Sequence, residues 1–357
     1  MCVKMKENYI IETFDPLKAT DQELFEVFNL LDILFKEKEK DDPLPTKEFR
    51  LKNFRHKNPE IDSYWWLLKY DERVIGFSIL NVRNKDSPSY EKNKHIAYFQ
   101  MRIQKEYRRN GLGLELLKKI MTKAKEFEAI TTLQNNTSYE SGFAFCTKLN
   151  GILCLESSEN RCYIKDVDWA LMLEWKEQGQ IRAKQDGRSL LWFEKCPEDI
   201  IEEFCKVYTE TMNEQPFGEL ESRPLITPET LRKSEEDFEK LNSTWHAVIS
   251  REKNGAISGV TDIIFAANRA HRIEQELTGV KKEYRGKGLG KWLKAEMLFF
   301  IRKKYPNVKF ISTGNADANA AMLSINTRMG FKLHQQIRSY KFRLTDLEKR
   351  ITEIKNH

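Results

Sequence analysis

A nine-residue turn that contains two glycines occurs twice in this chain of 357 residues. The letters KEYRRNGLG fill positions 105–113 and KEYRGKGLG fill positions 282–290, so seven of nine are identical and the copies lie 177 residues apart. An extended segment precedes each copy and a helical pattern follows it. At such a helix start the free backbone N–H groups favour an anion, and glycine lets a phosphate approach them closely. The turn therefore predicts a phosphate-binding loop, although a single isolated copy would be typical of any strand-to-helix connection.

The elements around the turn repeat as well. In the second half an extended hairpin covers 246–265, a third extended segment covers 272–280, and an amphipathic helix begins at Leu289. The first half has the same order, with Gly76 of its hairpin matching Gly259 of the second. Alternating and i, i+4 apolar patterns predict the order β-α-β-β-β-α-β-α in each half.

This repeat predicts an α/β (α+β) protein with two domains of similar architecture. Each domain is expected to have a mixed, mostly antiparallel sheet flanked by helices. We place the first domain at 1–166, a linker at 167–187 and the second domain at 188–357. A chain of 357 residues fits two domains of ordinary size.

Composition excludes several classes of protein. The net charge is +6, and no basic block is long enough to predict nucleic-acid binding. Six cysteines form no CxxC pair, which favours reduced thiols, and no spacing is typical of a metal site. The N-terminus lacks the apolar segment of a signal peptide, and no run reaches the ~20 apolar residues of a membrane helix. We therefore expect a cytoplasmic, soluble protein without a metal.

The two motifs of the second half resemble the GNAT N-acetyltransferase superfamily. In that family a strand end leads into Arg-x-x-Gly-x-Gly at a helix start, here Arg285 to Gly290, and Asn followed by a short helix and Gly-Phe comes later, here 319–331. The first half keeps the loop Arg108 to Gly113, but its second motif is eroded to YESGFAFCTKLNG. The layout is similar to that of mycothiol synthase. A Rossmann loop is disfavoured because an antiparallel hairpin precedes this turn.

The resemblance implies an acyltransferase that uses acetyl-CoA as co-substrate and acetylates a small-molecule amine, with no nucleic-acid or membrane partner. It also implies which residues hold the CoA. They are Thr278, Val280, Lys281, Lys282, Arg285, Gly286, Lys287, Gly288, Leu289, Gly290, Lys291 and Asn319 in the second half, and Ile103, Arg108, Gly111 and Gly113 in the first.

Catalysis is expected in the second half. Family members often use a glutamate on the fourth strand as the base, and the position eleven residues before Arg285 is Glu274, with Glu276 as the reserve candidate. Strand alternation predicts that both share a face with Thr278 and Val280. Two neighbouring carboxylates raise each other's pKa, as a base near neutrality needs, although two solvated carboxylates are the alternative. The matching position in the first half is Ala97, on an apolar face.

The residue that could act as general acid in many family members is replaced in this chain. Many family members have a tyrosine seven residues after the motif Asn, where this chain has Asn326 and, in the first half, Cys146. An amide cannot act as an acid at neutral pH, so Asn326 is either a participant through hydrogen bonding or a helix-packing residue. Tyr340 is a distant candidate for the acid.

Evidence on the acceptor is limited to one acidic loop. Residues 212–231 contain Glu214, Glu219 and Glu221, which would suit a cationic amine. Two other functions remain open from the sequence: a non-catalytic protein that binds or senses acyl-CoA, and a transferase of another acyl group.

Overall fold

The computed structural model describes residues 8–355, so Cys2 lies outside the described residues. The chain forms two compact units. The first unit contains Met1–Cys154, Glu219–Ser222 and Arg338–His357, and the second contains Leu155–Gly218 and Arg223–Ile337.

The first unit begins with a strand, two helices and a hairpin and ends with strands and helices around the glycine turn. Its elements are β1 (Tyr9–Phe14), α1 (Asp21–Lys38), α2 (Lys47–Arg55), β2 (Ile61–Tyr70), β3 (Arg73–Arg83), α3 (Tyr90–Asn93), β4 (Ile96–Ile103), α4 (Leu112–Ala124), β5 (Thr132–Thr137) and α5 (Glu140–Lys148). The turn between β2 and β3 has positive φ at Asp71 and Glu72. Thr20 and Glu23 form a capping box that fixes the start of α1.

The second unit repeats this order after a long helix. The next elements along the chain are β6 (Ile152–Tyr163), α6 (Trp169–Asp186), β7 (Ser189–Phe193), α7 (Ile201–Asn213), α8 (Pro228–Lys240), β8 (Ser243–Arg251), β9 (Ile257–Ala266), β10 (Arg272–Val280), α9 (Leu289–Lys304), β11 (Phe310–Ala316), α10 (Ala320–Met329), β12 (Lys332–Arg343) and α11 (Leu344–Lys355). Five short 3₁₀ turns, including Lys105–Tyr107 and Lys282–Tyr284, complete the secondary structure of the described residues.

Both sheets are mixed and mostly antiparallel. In the first unit the strand order is β1-β2-β3-β4-β5, followed by the last part of β12, and in the second it is β7-β8-β9-β10-β11, followed by the last part of β6. The only parallel pairs in the described sheets are β4 with β5 and β10 with β11. Each of them spans three residue pairs: Ile96–Tyr98 faces 132–134, and Arg272–Glu274 faces 310–312.

The compact units differ from the predicted domains at their final strands. Residues 157–163 of β6 pair with β11 in the second unit, and residues 338–343 of β12 pair with β5 in the first. Helix α11 therefore packs in the core of the first unit, through Leu347 and Ile351. Hydrophobic periodicity identifies a strand but not its partner, so the boundaries 1–166 and 188–357 could not include this exchange.

Helices cover both faces of each sheet. In the second unit α9 and α6 pack on one face, where Gly179 of α6 lies against the ring of Trp292. On the other face α7 and α8 pack around Phe204, Trp245 and Leu231. The predicted linker is thus largely the helix α6, and its N-cap Asp168 and C-cap Gly187 set its ends.

Three further observations limit the chemistry of the described residues. The five cysteines after Cys2 are unpaired and buried, as expected of reduced thiols. Within residues 8–355 no cluster of three or more His, Cys, Asp or Glu side chains has the arrangement of a metal site. None of the described helices combines the length and the hydrophobicity that a bilayer crossing requires.

One lysine lies inside the core of the second unit. Lys294 of α9 is 2% exposed, and its Nζ donates a hydrogen bond of 3.0 Å to Oε1 of Gln275 on β10. Burial lowers the pKa of this ammonium group to about 7. Because the folded-state pKa lies below that of the unfolded chain, the unfolded chain binds the proton more tightly. The free energy of unfolding therefore falls as the pH drops from the ordinary lysine pKa toward 7.

Replacing this buried amine should stabilise the protein in a pH-dependent way. We expect Lys294→Met to raise the free energy of unfolding by on the order of 2 kcal/mol near pH 6 and by clearly less near pH 10, where the wild-type amine is neutral in the folded state and already partly deprotonated in the unfolded chain. Denaturant titrations at both pH values measure this. Lys303→Met, on the exposed part of the same helix, is the matched control and should show no such dependence. An equal effect of Lys294→Met at the two pH values would contradict the prediction.

Candidate functional site

The glycine loop of the second unit connects the end of β10 to the start of α9. Gly286 and Gly288 have φ values of +79° and +74°, in the left-handed region that favours glycine. Gly288 directly precedes the first residue of α9. The first unit has the same geometry, with Gly111 at +80° and Arg109 at +70° in the position of Gly286. The two copies of the sequence therefore form two copies of one backbone conformation.

Free amides line this loop. The N–H groups of Gly286, Lys287 and Gly288 donate to no carbonyl or side chain among the described residues. The N–H groups of the first turn of α9, from Leu289 to Lys291, have no intrahelical acceptor either. Together with the helix dipole, this run of donors can bind a phosphate. The side chain of Leu289 is buried in the core, so only its amide is available to a ligand.

The two motif arginines form hydrogen bonds and ion pairs at the glycine loops. Nε of Arg285 donates 2.8 Å to the carbonyl of Val280, and its guanidinium pairs with Glu214 after α7. In the first unit Nε of Arg108 donates 2.8 Å to the carbonyl of Ile103. The Arg108 guanidinium also forms a bidentate pair with Glu37 of α1, at 2.7 and 2.6 Å. Each arginine therefore joins a strand end to a helix on the opposite side of the loop.

The lysines and the asparagine predicted to hold CoA have mixed roles. Lys281 pairs with Glu283 at 3.0 Å, and Nζ of Lys291 lies 5.5 Å from the ring centre of Trp175. Lys282 and Lys287 are exposed beside the loop. The side chain of Asn319 accepts a hydrogen bond from the amide of Met322 and caps α10.

A bulge in β10 changes which side chains share a face. Gln275 pairs with Ile263 and Thr278 pairs with Thr261, so Glu276 and Leu277 both lie opposite one residue of β9, Asp262. The predicted alternation is therefore wrong beyond Glu276.

The bulge separates the predicted residues into two groups. Oγ1 of Thr278 lies 2.7 Å from Oγ1 of Thr261, on the side where Gln275 meets Lys294 of α9, and Val280 packs in the core formed by α9. Glu274 and Glu276 lie on the other side, toward Asp262 and α7. Thr278 and Val280 consequently do not line the same surface as the two glutamates.

Glu274 is paired with two arginines. Its Oε1 lies 3.0 Å from the guanidinium of Arg269 and 3.3 Å from that of Arg272. An acceptor amine would therefore have to displace a guanidinium group to reach this oxygen.

Glu276 has the properties that Glu274 lacks. Its side chain is exposed on one side and has no guanidinium partner among the described residues. Burial of the rest of the group, followed by the charges of Asp262 and Glu274, raises the pKa of Glu276 to about 7. A carboxylate with this pKa exchanges protons near neutrality, as a general base must.

The position of the missing tyrosine is buried in both units. Nδ2 of Asn326 donates 2.7 Å to Oδ1 of Asn315, which lies eleven residues earlier on β11. Cys146 contacts Asn135 of β5 across the same interval, and burial raises the pKa of its thiol to about 11. Neither side chain supplies a proton near neutrality. Tyr340, the distant candidate, is 3% exposed in the core of the first unit, which does not contain Glu276.

The acidic loop is already neutralised. Glu214 pairs with Arg285 in the second unit, whereas Glu219 and Glu221 belong to the first and lie near Lys341, at 3.9 and 3.1 Å. Glu221 also contacts His95. These partners could not be recognised from the sequence because they lie 71 to 126 residues from the glutamates they contact. The three carboxylates therefore do not form the open acidic surface that was expected to attract a cationic amine.

A cavity of about 360 Å³ lies beside the glycine loop of the first unit. All four residues predicted to hold CoA there (Ile103, Arg108, Gly111 and Gly113) line it, with Arg102, Arg109 and Lys148 as further cations. Tyr139 at the end of β5 also lines it, and three cationic side chains, Lys38, Arg102 and Arg108, lie 4.3–5.5 Å from its ring centre. No local sequence signal pointed to Tyr139, because its partners come from three different elements.

Comparisons with known proteins agree with this geometry. Residues 24–144, most of the first unit, match the model of the Acetyltransferase (GNAT) family. A tandem GNAT protein from the clavulanic acid biosynthesis pathway is similar in structure, with a TM-score of 0.71 and 17% identity over 94% of this chain and 98% of that chain. A GCN5-related N-acetyltransferase from Sphaerobacter thermophilus gives a TM-score of 0.65 and 12% identity, covering 95% and 97%. The comparison with curated proteins gave no significant match. The predicted fold, two tandem GNAT folds, is confirmed.

The geometry of Gly288 allows a test of the second loop. A β-carbon at this position would lie 3.1 Å from the guanidinium of Arg182. We expect Gly288→Ala to weaken CoA binding at this loop by about tenfold or more, because the methyl group keeps the phosphate from the amides. The strain of an alanine at positive φ should cost about 1 kcal/mol of stability. Calorimetric titration with CoA measures the affinity.

Gly187→Ala is the matched control. Gly187 has a φ of +68° in the same unit, and a β-carbon there would meet the flexible side chain of Lys253 at 3.3 Å. It should lose similar stability and keep its CoA affinity. Equal affinities of the Gly288 and Gly187 variants would show that the second loop does not hold the phosphates.

Proposed function

We propose that this tandem GNAT-fold protein, in which residues 24–144 match the GNAT acetyltransferase family, transfers an acetyl group from acetyl-CoA to a small-molecule amine in its second unit. The observation that supports this most directly is Glu276, a carboxylate with a pKa near neutrality on the strand that leads into the phosphate-binding loop. The coarser activity, acyltransfer from an acyl-CoA, is the one typical of the family.

The base is needed because the acceptor arrives charged. An amine with an ordinary pKa of about 10 is an ammonium ion at neutral pH and must lose a proton before its nitrogen can attack. Glu276 can accept that proton directly or through one water molecule. Glu274 has a supporting role in this scheme: it orients Arg269 and Arg272 and adds negative charge beside Glu276.

The opening between β10 and β11 supports binding of the acyl donor. The two strands pair at Arg272–Glu274 and 310–312, and beyond these residues the side of β10 that faces β11 has no strand partner within the described part of the chain. The loop amides lie at the mouth of this opening, at the end of β10. When bound, acetyl-CoA supplies the acetyl thioester; β10 would position the acyl group beside Glu276, and the loop would hold the phosphates.

The departure of the thiol does not require a strong acid from the protein. A thiol has a pKa of about 8.5 and leaves readily as a thiolate or with a proton from water. This is consistent with a second unit in which Asn326 replaces the usual tyrosine and is bonded to Asn315.

A second function is supported for the first unit, namely binding of acyl-CoA without chemistry. Its cavity combines the loop amides with the side chains of Arg102, Arg109 and Lys148, which suits a ligand with several phosphates. Its fourth strand has no carboxylate, since Ala97 and Phe99 are buried and Met101 and Ile103 follow them. If the base in the second unit proves dispensable, this binding function becomes the leading alternative for the whole protein.

Replacing each glutamate separately tests the assignment of the base. We expect Glu276→Gln to lower the rate of acetyl transfer by a factor of roughly 10²–10⁴, because the amide keeps the shape and cannot accept a proton. The loss should shrink at high pH, where the free amine is abundant. Glu274→Gln should have a smaller effect. Release of the CoA thiol with a panel of amines is the measurement.

Two controls accompany this experiment. Glu236→Gln on α8 removes an exposed carboxylate of the same unit, and Ala97→Ser changes the matching position of the first unit. Both should keep nearly the wild-type rate. A wild-type rate in Glu276→Gln with a collapsed rate in Glu274→Gln would move the base to Glu274, and wild-type rates in both would remove the strand carboxylates from the mechanism.

Filling the first cavity tests its role as a binding site. Ala144 of α5 is exposed and lines the cavity, so Ala144→Trp should fill it without disturbing the core. We expect the wild type to bind two CoA molecules per chain and this variant to bind one, as measured by calorimetry. Thr147→Trp, on the same helix outside the cavity lining, should still bind two. One CoA per chain in the wild type, lost in Gly288→Ala alone, would show that the first loop is only structural.

A further inference from the structure

A buried carboxylate lies directly behind the bulge of β10. Asp262 of β9 is 2% exposed and accepts three hydrogen bonds. The amide of Leu277 donates to its Oδ1 at 2.9 Å, and the indole N–H of Trp245 and the hydroxyl of Tyr208 donate to its Oδ2 at 2.8 and 3.0 Å. None of these three donors carries a positive charge, so they do not neutralise the ionised carboxylate.

The first of these hydrogen bonds explains the bulge. In a regular antiparallel pair each residue of β10 would lie opposite one residue of β9, and the Leu277 amide would face a backbone carbonyl or open space. In the bulge, two residues of β10 lie opposite one of β9. The side chain of Asp262 provides the acceptor that the disrupted ladder lacks. The remaining two hydrogen bonds, from Trp245 of β8 and Tyr208 of α7, hold this carboxylate in place. The position of Glu276 in the bulge is therefore connected to three elements besides β10 itself.

The same carboxylate dominates the charge around Glu276. The groups that face Glu276 are Asp262 from β9, Tyr208 from α7 and, on β10 itself, Glu274. The charge of Glu274 is offset by Arg269 and Arg272, whereas no cationic side chain among the described residues pairs with Asp262. Burial raises the pKa of Asp262 to about 6, so it is mostly ionised at neutral pH. Two neighbouring carboxylates bind a first proton more readily than either would alone.

We propose that Asp262 is a positioning residue for the base: its carboxylate holds the bulge that presents Glu276, and its charge favours proton uptake by Glu276. This proposal rests on the function proposed above, in which Glu276 accepts a proton from the amine. The proton moves from the amine nitrogen to the carboxylate of Glu276, and this transfer relieves the repulsion between the anions of Glu276 and Asp262. Asp262 itself forms and breaks no bond in this step.

The test measures Glu276 directly and needs no substrate. In protein with ¹³C-labelled glutamate carboxyl groups, the signal of Glu276 is identified by its loss in Glu276→Gln and followed by NMR as a function of pH. We expect the midpoint for Glu276 to fall by about one pH unit in Asp262→Asn, because the like charge is gone. Asp199→Asn, which removes an exposed carboxylate of the same unit, should leave the midpoint unchanged. An unchanged midpoint in folded Asp262→Asn would overturn the proposal.

A gentler variant covers the case in which Asp262→Asn does not fold. Tyr208→Phe removes one donor and keeps the charge, so Asp262 should take up its proton at a higher pH. Glu276 then loses its charged neighbour over that range, and its midpoint should move to lower pH by a smaller amount. No movement of the Glu276 midpoint in folded Tyr208→Phe would also overturn the proposal.

Activity separates this proposal from the function on which it rests. If Glu276→Gln loses activity, the acidic limb of kcat/KM in Asp262→Asn should move to lower pH together with the NMR midpoint. A collapsed rate in Glu276→Gln with unchanged pH behaviour in Asp262→Asn would refute the role of Asp262 alone. A wild-type rate in Glu276→Gln would refute the proposed base and, with it, the positioning role of Asp262.

Discussion

Both units depend on a parallel strand pair that stops early. The hydrogen bonds between β4 and β5 and between β10 and β11 cover three residue pairs each, and the strands then separate toward the glycine loops. Within residues 8–355, the separation leaves one side of each fourth strand without a strand partner and ends at a helix start with free amides. In the first unit a cavity of about 360 Å³ lies beside the loop at this end. The arginines of the two loops keep this end in place by joining the strand carbonyl to a glutamate on a neighbouring helix.

The two units share one backbone arrangement, but their fourth strands present different side chains. In the first, the fourth strand presents apolar side chains, and the cavity gathers cations around Tyr139. In the second, the fourth strand has a bulge held by Asp262 and a glutamate whose pKa lies near neutrality. The GNAT family match covers the first unit, while the residues suited to proton transfer lie in the second. A division between a unit that holds an acyl-CoA and a unit that reacts is the simplest account of this difference.

Sequence reasoning succeeded where the signal was local. The glycine loops and the hairpin, strand and helix around each of them follow from short patterns, and the structure has them at the expected positions. The sequence-based prediction failed where the position of a residue or strand depends on a partner far away in the sequence. The bulge that moves Thr278 and Val280 away from Glu276 has its Leu277 amide bonded to the side chain of Asp262 on another strand, and the positions of β6 and β12 depend on which strand edge each one meets. The pairing of Glu274 with Arg269 and Arg272 could likewise not be recognised from spacing alone.

The central proposal is that the chemistry takes place in the second unit and does not require the first. The most direct measurement is the rate of acetyl transfer by the Ala144→Trp protein, in which the first cavity is filled and the second unit is unchanged. The account predicts a rate within about twofold of the wild type at saturating acetyl-CoA. A rate that falls to the uncatalysed background in this folded variant would place the reaction in the first unit and contradict the account.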